Sequence, residues 1–128
     1  MEFSKVVNLK PIDPDKIKIE MVPGSENNYT VWLELDSEPD SIWTRIFYDE
    51  VAKNTQIGRA IISVACVTVP TTRDEFKKKV ESLKKIVDYT NQQVEQHNRK
   101  VEQEQEEQRR REAKGVDDIK KMREQLRR

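Results

Sequence analysis

The sequence predicts an α+β fold: a small antiparallel sheet in the order β-β-β-α-β-α, packed by helices and followed by a long charged C-terminal helix. Three observations carry that expectation. Two early segments alternate apolar and polar residues with the period of a half-buried strand, a third is apolar on both faces, and everything after Thr72 follows helical spacing. Helices grouped after and between antiparallel strands give α+β rather than a doubly wound sheet.

Val6-Val7-Asn8-Leu9 reads as a short first strand, and Pro11-Ile12-Asp13-Pro14-Asp15 as a turn. Ile17-Lys18-Ile19-Glu20-Met21 then alternates, with Ile17, Ile19 and Met21 on one face. Pro23 to Asn28 is a loop of turn formers, and Tyr29 to Asp36 alternates again with Val31, Leu33 and Leu35 inward. These two runs form a hairpin. Ser37-Glu38-Pro39-Asp40 opens a helix, with Ser37 as N-cap and Pro39 in the first turn. Trp43, Ile46, Phe47 and Val51 give it an apolar stripe, and Asn54 to Gly58 ends it. Arg59 to Val69 is apolar on both faces, which predicts one central strand closed by Pro70. Val64 joins Ile19, Val31, Leu33, Trp43, Phe47, Phe76, Val80 and Leu83 in the expected core.

Thr72-Arg73-Asp74-Glu75 is a capping box. The chain beyond it holds no Pro and no Gly until Gly115. A helix of roughly 42 residues would be about 63 Å long. A domain of this size is about 30 Å across, so the helix must project or bend back, and Gly115 offers a place to do so. Phe76, Val80, Leu83, Val87, Thr90, Val94, His97 and Val101 follow one another in alternating steps of four and three, the seam of a coiled coil. Glu102 to Lys114 is polar all round. Pairs such as Glu75 with Lys79 and Glu107 with Arg111, one turn apart, support helix there.

Charge and apolar content divide the chain the same way. Charged residues make up 38% of it at zero net charge. Residues 1–70 carry 7 basic and 11 acidic side chains, and residues 71–128 carry 17 and 13. About 41% of residues 1–90 are apolar, against about 18% of residues 91–128. Residues 1–90 are therefore expected to form the α+β domain. Residues 91–128 are expected to be a charged helical extension, either a coiled coil or partly disordered without a partner.

The same composition narrows function. No apolar run approaches the roughly 20 residues of a membrane span. The N-terminus lacks the basic and apolar regions of a signal peptide, so a cytoplasmic protein is expected. The one Cys, Cys66, lies in an apolar strand, and the one His, His97, lies far along the helix, so no nucleophile–base pair or zinc set is assembled. Gly24 and Gly58 stand alone, without the glycine-rich loop that cradles a phosphate. The sequence assigns no catalytic residue, no cofactor and no metal.

What remains is binding. The expected role is a non-catalytic protein-interaction module that self-associates or recruits a partner through its long helix, with Val87, Val94 and Val101 as helix contacts. Trp32 points opposite to Val31 and Leu33 and is a candidate aromatic anchor on an open sheet face. The alternative is a nucleic-acid-binding accessory protein using Arg109, Arg110 and Arg111, with the lysines at 77–79 as a second basic cluster. Four glutamates at 102–107 precede the arginines and oppose that alternative.

Overall fold

The computed structural model describes residues 2–127 and is an α+β protein. Its elements are β1 (Lys18–Met21), β2 (Tyr29–Glu34), α1 (Ser41–Lys53), β3 (Ile61–Ser63), β4 (Cys66–Thr71) and α2 (Phe76–Arg127). The four strands form one antiparallel sheet in the order β1-β2-β4-β3. The described residues divide into two compact units, Ser4–Glu95, and residues 2–3 with residues 96–127.

In the Ser4–Glu95 unit, alternation along β2 and β4 decides which side is buried. Val31, Leu33, Val67 and Val69 are buried, and they join Trp43, Phe47, Leu83, Ile86, Val87 and Val94 of the two helices in one apolar cluster. Trp43 and Phe47 stack at 5.2 Å between ring centroids. Trp32, Glu34, Cys66 and Thr68 take the opposite face of the sheet.

Several elements differ from the sequence expectation. The run Arg59 to Val69 is not one strand but the hairpin β3–β4, turning at Val64 and Ala65. Two short strands back to back gave the appearance of a strand apolar on both faces. Val64 is accordingly exposed at the turn rather than in the core, and its φ is 55°. β4 also runs through Pro70 to Thr71. Leu35 donates to Ala65, so the odd-numbered residues of β2 and β4 bond each other and Pro70 faces the β3 side. β3 has already ended opposite Thr68, so the missing N–H of Pro70 costs no ladder bond.

The first expected strand is reduced to a single bridge, Leu9 to Leu35. Lys10 donates to Glu34 and Asn8 accepts from Asp36, so this segment continues the row of β1 beside β2. Ile19, expected in the core, is 44% exposed, because β1 is the sheet edge. The N-cap of α1 is Asp40, not Ser37. Its carboxylate accepts from Trp43 N at 2.8 Å, and also from Ser4 Oγ at 2.9 Å and Lys5 N at 3.0 Å. The cap thereby ties the N-terminal segment to the start of α1.

The compact unit continues past residue 90 because Asn91 and Val94 belong to it. The Asn91 amide is the polar centre of this unit. Its Oδ1 accepts from Trp43 Nε1 at 2.7 Å and from Val7 N at 3.1 Å. Its Nδ2 donates to Val7 O at 2.8 Å and to Asn8 Oδ1 at 3.0 Å. One side chain satisfies groups from the N-terminal segment and α1 while standing on α2.

In the other unit, Gly115 lies inside α2, so the expected break and fold-back at this residue do not occur. A Cβ placed there would meet nothing within 4 Å. The helix persists on i, i+4 pairs: Glu107 to Arg111 at 2.6 Å and Asp117 to Lys121 at 3.1 Å. No helix among the described residues is long and apolar enough to cross a membrane.

Candidate functional site

The seam residues are not an open face. Val87 and Val94 lie in the core cluster of the Ser4–Glu95 unit, and Val101 is also buried. A contact with a partner helix through these three valines would require side chains that the chain already covers. The 4-3 spacing was real, but it records intramolecular packing of α2, for which heptad spacing is equally suited.

The apolar face that is open lies further on. Val116, Ile119, Met122 and Leu126 are 50 to 88% exposed. At about 100° per residue they fall within an arc of about 120° on the helix. Asp117, Asp118, Lys120, Lys121 and Glu124 occupy the rest of the circumference, and Arg123 falls inside the arc beside Val116. The segment is thus an amphipathic helix whose apolar stripe has no cover among the described residues of its unit.

A second surface belongs to the Ser4–Glu95 unit. Trp32 is half-buried and lines an open cleft of about 680 Å³ on the sheet, bounded by the loop from Lys10 to Lys18 and by the β3–β4 turn. Lys18 Nζ sits 4.3 Å from the Trp32 ring centroid, in cation–π contact. Lys10 and Lys16 stand at the same cleft with Glu34 and Asp13. The strained turn residue Val64 and the free thiol of Cys66 form part of its wall. The tryptophan thus lies half-buried on the face opposite Val31 and Leu33, at the wall of this cleft, with the Lys18 ammonium over its ring.

Neither reactive side chain is set up for nucleophilic work. Burial pushes the Cys66 thiol up, and the nearby Glu34 carboxylate pushes it further, so the thiolate is disfavoured. His97 Nε2 lies 2.7 Å from the Glu2 carbonyl. A carbonyl only accepts, so this nitrogen carries the proton and anchors the N-terminal residues. Among the described residues no group of three or more His, Cys, Asp or Glu is placed to hold a metal ion.

The basic clusters are partly engaged. Arg109, Arg110 and Arg111 are exposed, and Arg111 pairs with Glu107. Lys79 turns inward: its Nζ donates to the Pro70 carbonyl at 2.7 Å and lies 3.5 Å from Glu75. Two features escaped the sequence reading, Asn91 and the stripe from Val116 to Leu126 as the exposed one. The stripe has the same three-and-four spacing as the seam before it, and only burial distinguishes the two. Comparison with protein-family models, with characterised proteins and with solved structures returns no match, so the functional reading rests on these residues.

Proposed function

We propose that this protein is a non-catalytic protein-interaction module whose helix α2 docks a helical partner through Val116, Ile119, Met122 and Leu126. The observation that carries the reading is the exposure of that stripe on a helix whose earlier seam residues Leu83, Val87, Val94 and Val101 are buried. Apolar side chains at spacings of three and four, with charges on both flanks, are the form in which a helix is received by a groove or by another helix. Fully burying residues of this size stabilises by about 1.5–3 kcal/mol each. Four such anchors contribute about 6–12 kcal/mol before the cost of association.

The raised thiol of Cys66 and the engaged His97 support a binding role over a catalytic one. The nucleic-acid reading has weaker support, since Arg111 is paired and Lys79 is turned inward.

The test is affinity capture with the full chain, its Ile119→Glu/Met122→Glu variant and its Arg109→Glu/Arg110→Glu/Arg111→Glu variant. The reading expects one saturable protein partner that is lost with the first variant and kept with the second. Capture unaffected by Ile119→Glu/Met122→Glu would sink it. Capture that is abolished by nuclease or by the arginine variant alone would favour nucleic acid.

A further inference from the structure

We infer that β1 is a self-association edge: two copies of this chain pair their β1 strands antiparallel about a two-fold axis at Ile19, joining two four-stranded sheets into one. This surface is separate from the α2 stripe and does not depend on it.

The sheet has two edges, and they are treated differently. At β3 the outward N–H belongs to Ile62, because Ser63 and Ile61 bond to β4. That N–H donates to the Tyr48 hydroxyl at 2.8 Å, so the edge is capped from α1. At β1 no such cap exists among the described residues. Val22 donates to the carbonyl of Asn28. Counting back by two, Glu20 and Lys18 bond β2, while Ile19 and Met21 turn their N–H and C=O away from the sheet. An unpaired strand edge takes one kind of occupant, another extended strand.

The side chains select a second copy as that strand. With Ile19 opposite Ile19 of the second copy, Lys18 falls opposite the second copy's Glu20, and Glu20 opposite its Lys18. Ile17 and Met21 then face each other across the axis on the apolar side. The charges lie at non-hydrogen-bonded positions, where cross-strand side chains come closest. Shifting the axis to Glu20 would set Glu20 against itself, so charge fixes the register. Lys18 and Glu20 are free to exchange partners: their present contact within one strand is 3.5 Å, with both side chains 59% exposed.

The apolar side fits the same occupant. Ile19 and Met21 are 44% and 63% exposed, large values for apolar strand residues. A groove of about 190 Å³ lined by Ile19, Tyr29 and Phe76 adjoins them. In the paired arrangement the Ile19 residues exchange both backbone bonds, and each Met21 N–H reaches the Ile17 carbonyl of the other copy. Ile17 N is already spent on Asp13 O within its own chain.

The test is sedimentation equilibrium of the full chain from about 10 µM to about 1 mM, a range that resolves weak dimers. The wild type is expected to move from the 15.2 kDa monomer toward twice that mass. Lys18→Glu and Glu20→Lys each turn two attractive pairs into two repulsive ones and are expected to weaken the dimer roughly tenfold or more. The double variant Lys18→Glu/Glu20→Lys restores both pairs and is expected to recover it. Ile19→Pro removes an outward N–H that β2 does not use and is expected to abolish association while retaining the tryptophan fluorescence of the folded Ser4–Glu95 unit. The Ile119→Glu/Met122→Glu variant is expected to dimerise like the wild type. A wild type that stays monomeric throughout overturns the inference. So does a dimer indifferent to both single charge reversals, or one that the double variant fails to recover.

Discussion

Replacing Asn91 is expected to do more damage than replacing any other polar residue of the Ser4–Glu95 unit. Asn91→Leu removes the partner of Trp43 Nε1 and of both backbone groups of Val7. Trp43 and Val7 are fully buried, so water does not easily substitute. A buried donor or acceptor left without a partner costs about 1–3 kcal/mol. Three such groups side by side can share one entering water, so the lower bound, a total of about 3 kcal/mol, is the appropriate expectation. In a unit of this size that lowers the melting temperature by roughly 12–24 °C. Urea titration followed by tryptophan fluorescence measures it, since α2 dominates the far-UV signal. A loss below about 1 kcal/mol would refute the argument, because it is no more than one ordinary hydrogen bond. Asn91→Asp separates hydrogen bonding from volume. The carboxylate still accepts from Trp43 and Val7 N, but its other oxygen meets the Val7 carbonyl, which needs a donor. The folded form therefore favours the protonated acid, and the folded pKa lies above the unfolded value of about 3.9. This variant should be most stable below that pH and lose stability as pH rises through the folded pKa.

Two other perturbations follow from single residues. Burial opposes ionisation of Asp40, but hydrogen bonds from Trp43, Lys5, Ser4 and Ile42 outweigh it and hold the carboxyl below the usual carboxylate range. Its contribution is thus present above the unfolded pKa of about 3.9 and lost as pH falls through the lower folded pKa. The stability difference between wild type and Asp40→Asn should shrink as pH falls over that window in paired urea titrations, and a constant difference would contradict it. Val64→Gly relieves a β-branched residue at positive φ on an exposed turn, where two-residue hairpins favour glycine. It should raise the urea midpoint by the equivalent of about 0.5–1 kcal/mol, and a lowered midpoint would show that the turn is not strained.

Much of the architecture was legible because burial here follows periodicity. The alternation in Tyr29 to Asp36 located β2 and its inward Val31 and Leu33, and the stripe on α1 located Trp43 and Phe47. The hairpin β3–β4 was not legible. Its turn carries Val64 and Ala65, with no Gly, Asn or Asp to mark a reversal, so the apolar run read as continuous. Asn91 was passed over for a related reason: a polar residue in a polar-looking helix gives no hint that Trp43 and Val7 will converge on it from 48 and 84 positions away.

The sequence by itself determined the secondary structure that local physics controls: strands where apolar residues alternate, helices where they recur every three or four, and a charged helix held by pairs one turn apart. It also determined that no helix among the described residues is long and apolar enough to cross a membrane. Only the tertiary structure decided which apolar faces are spent. The seam through Val87, Val94 and Val101 and the stripe through Val116, Ile119, Met122 and Leu126 have similar local patterns, yet one is covered and the other exposed. Spacing records that a helix has an apolar side; what covers that side depends on residues distant in the chain. Edge status was decided in the same way. Ile19 and Val31 alternate alike, but strand order places one at the boundary of the sheet and the other in its interior.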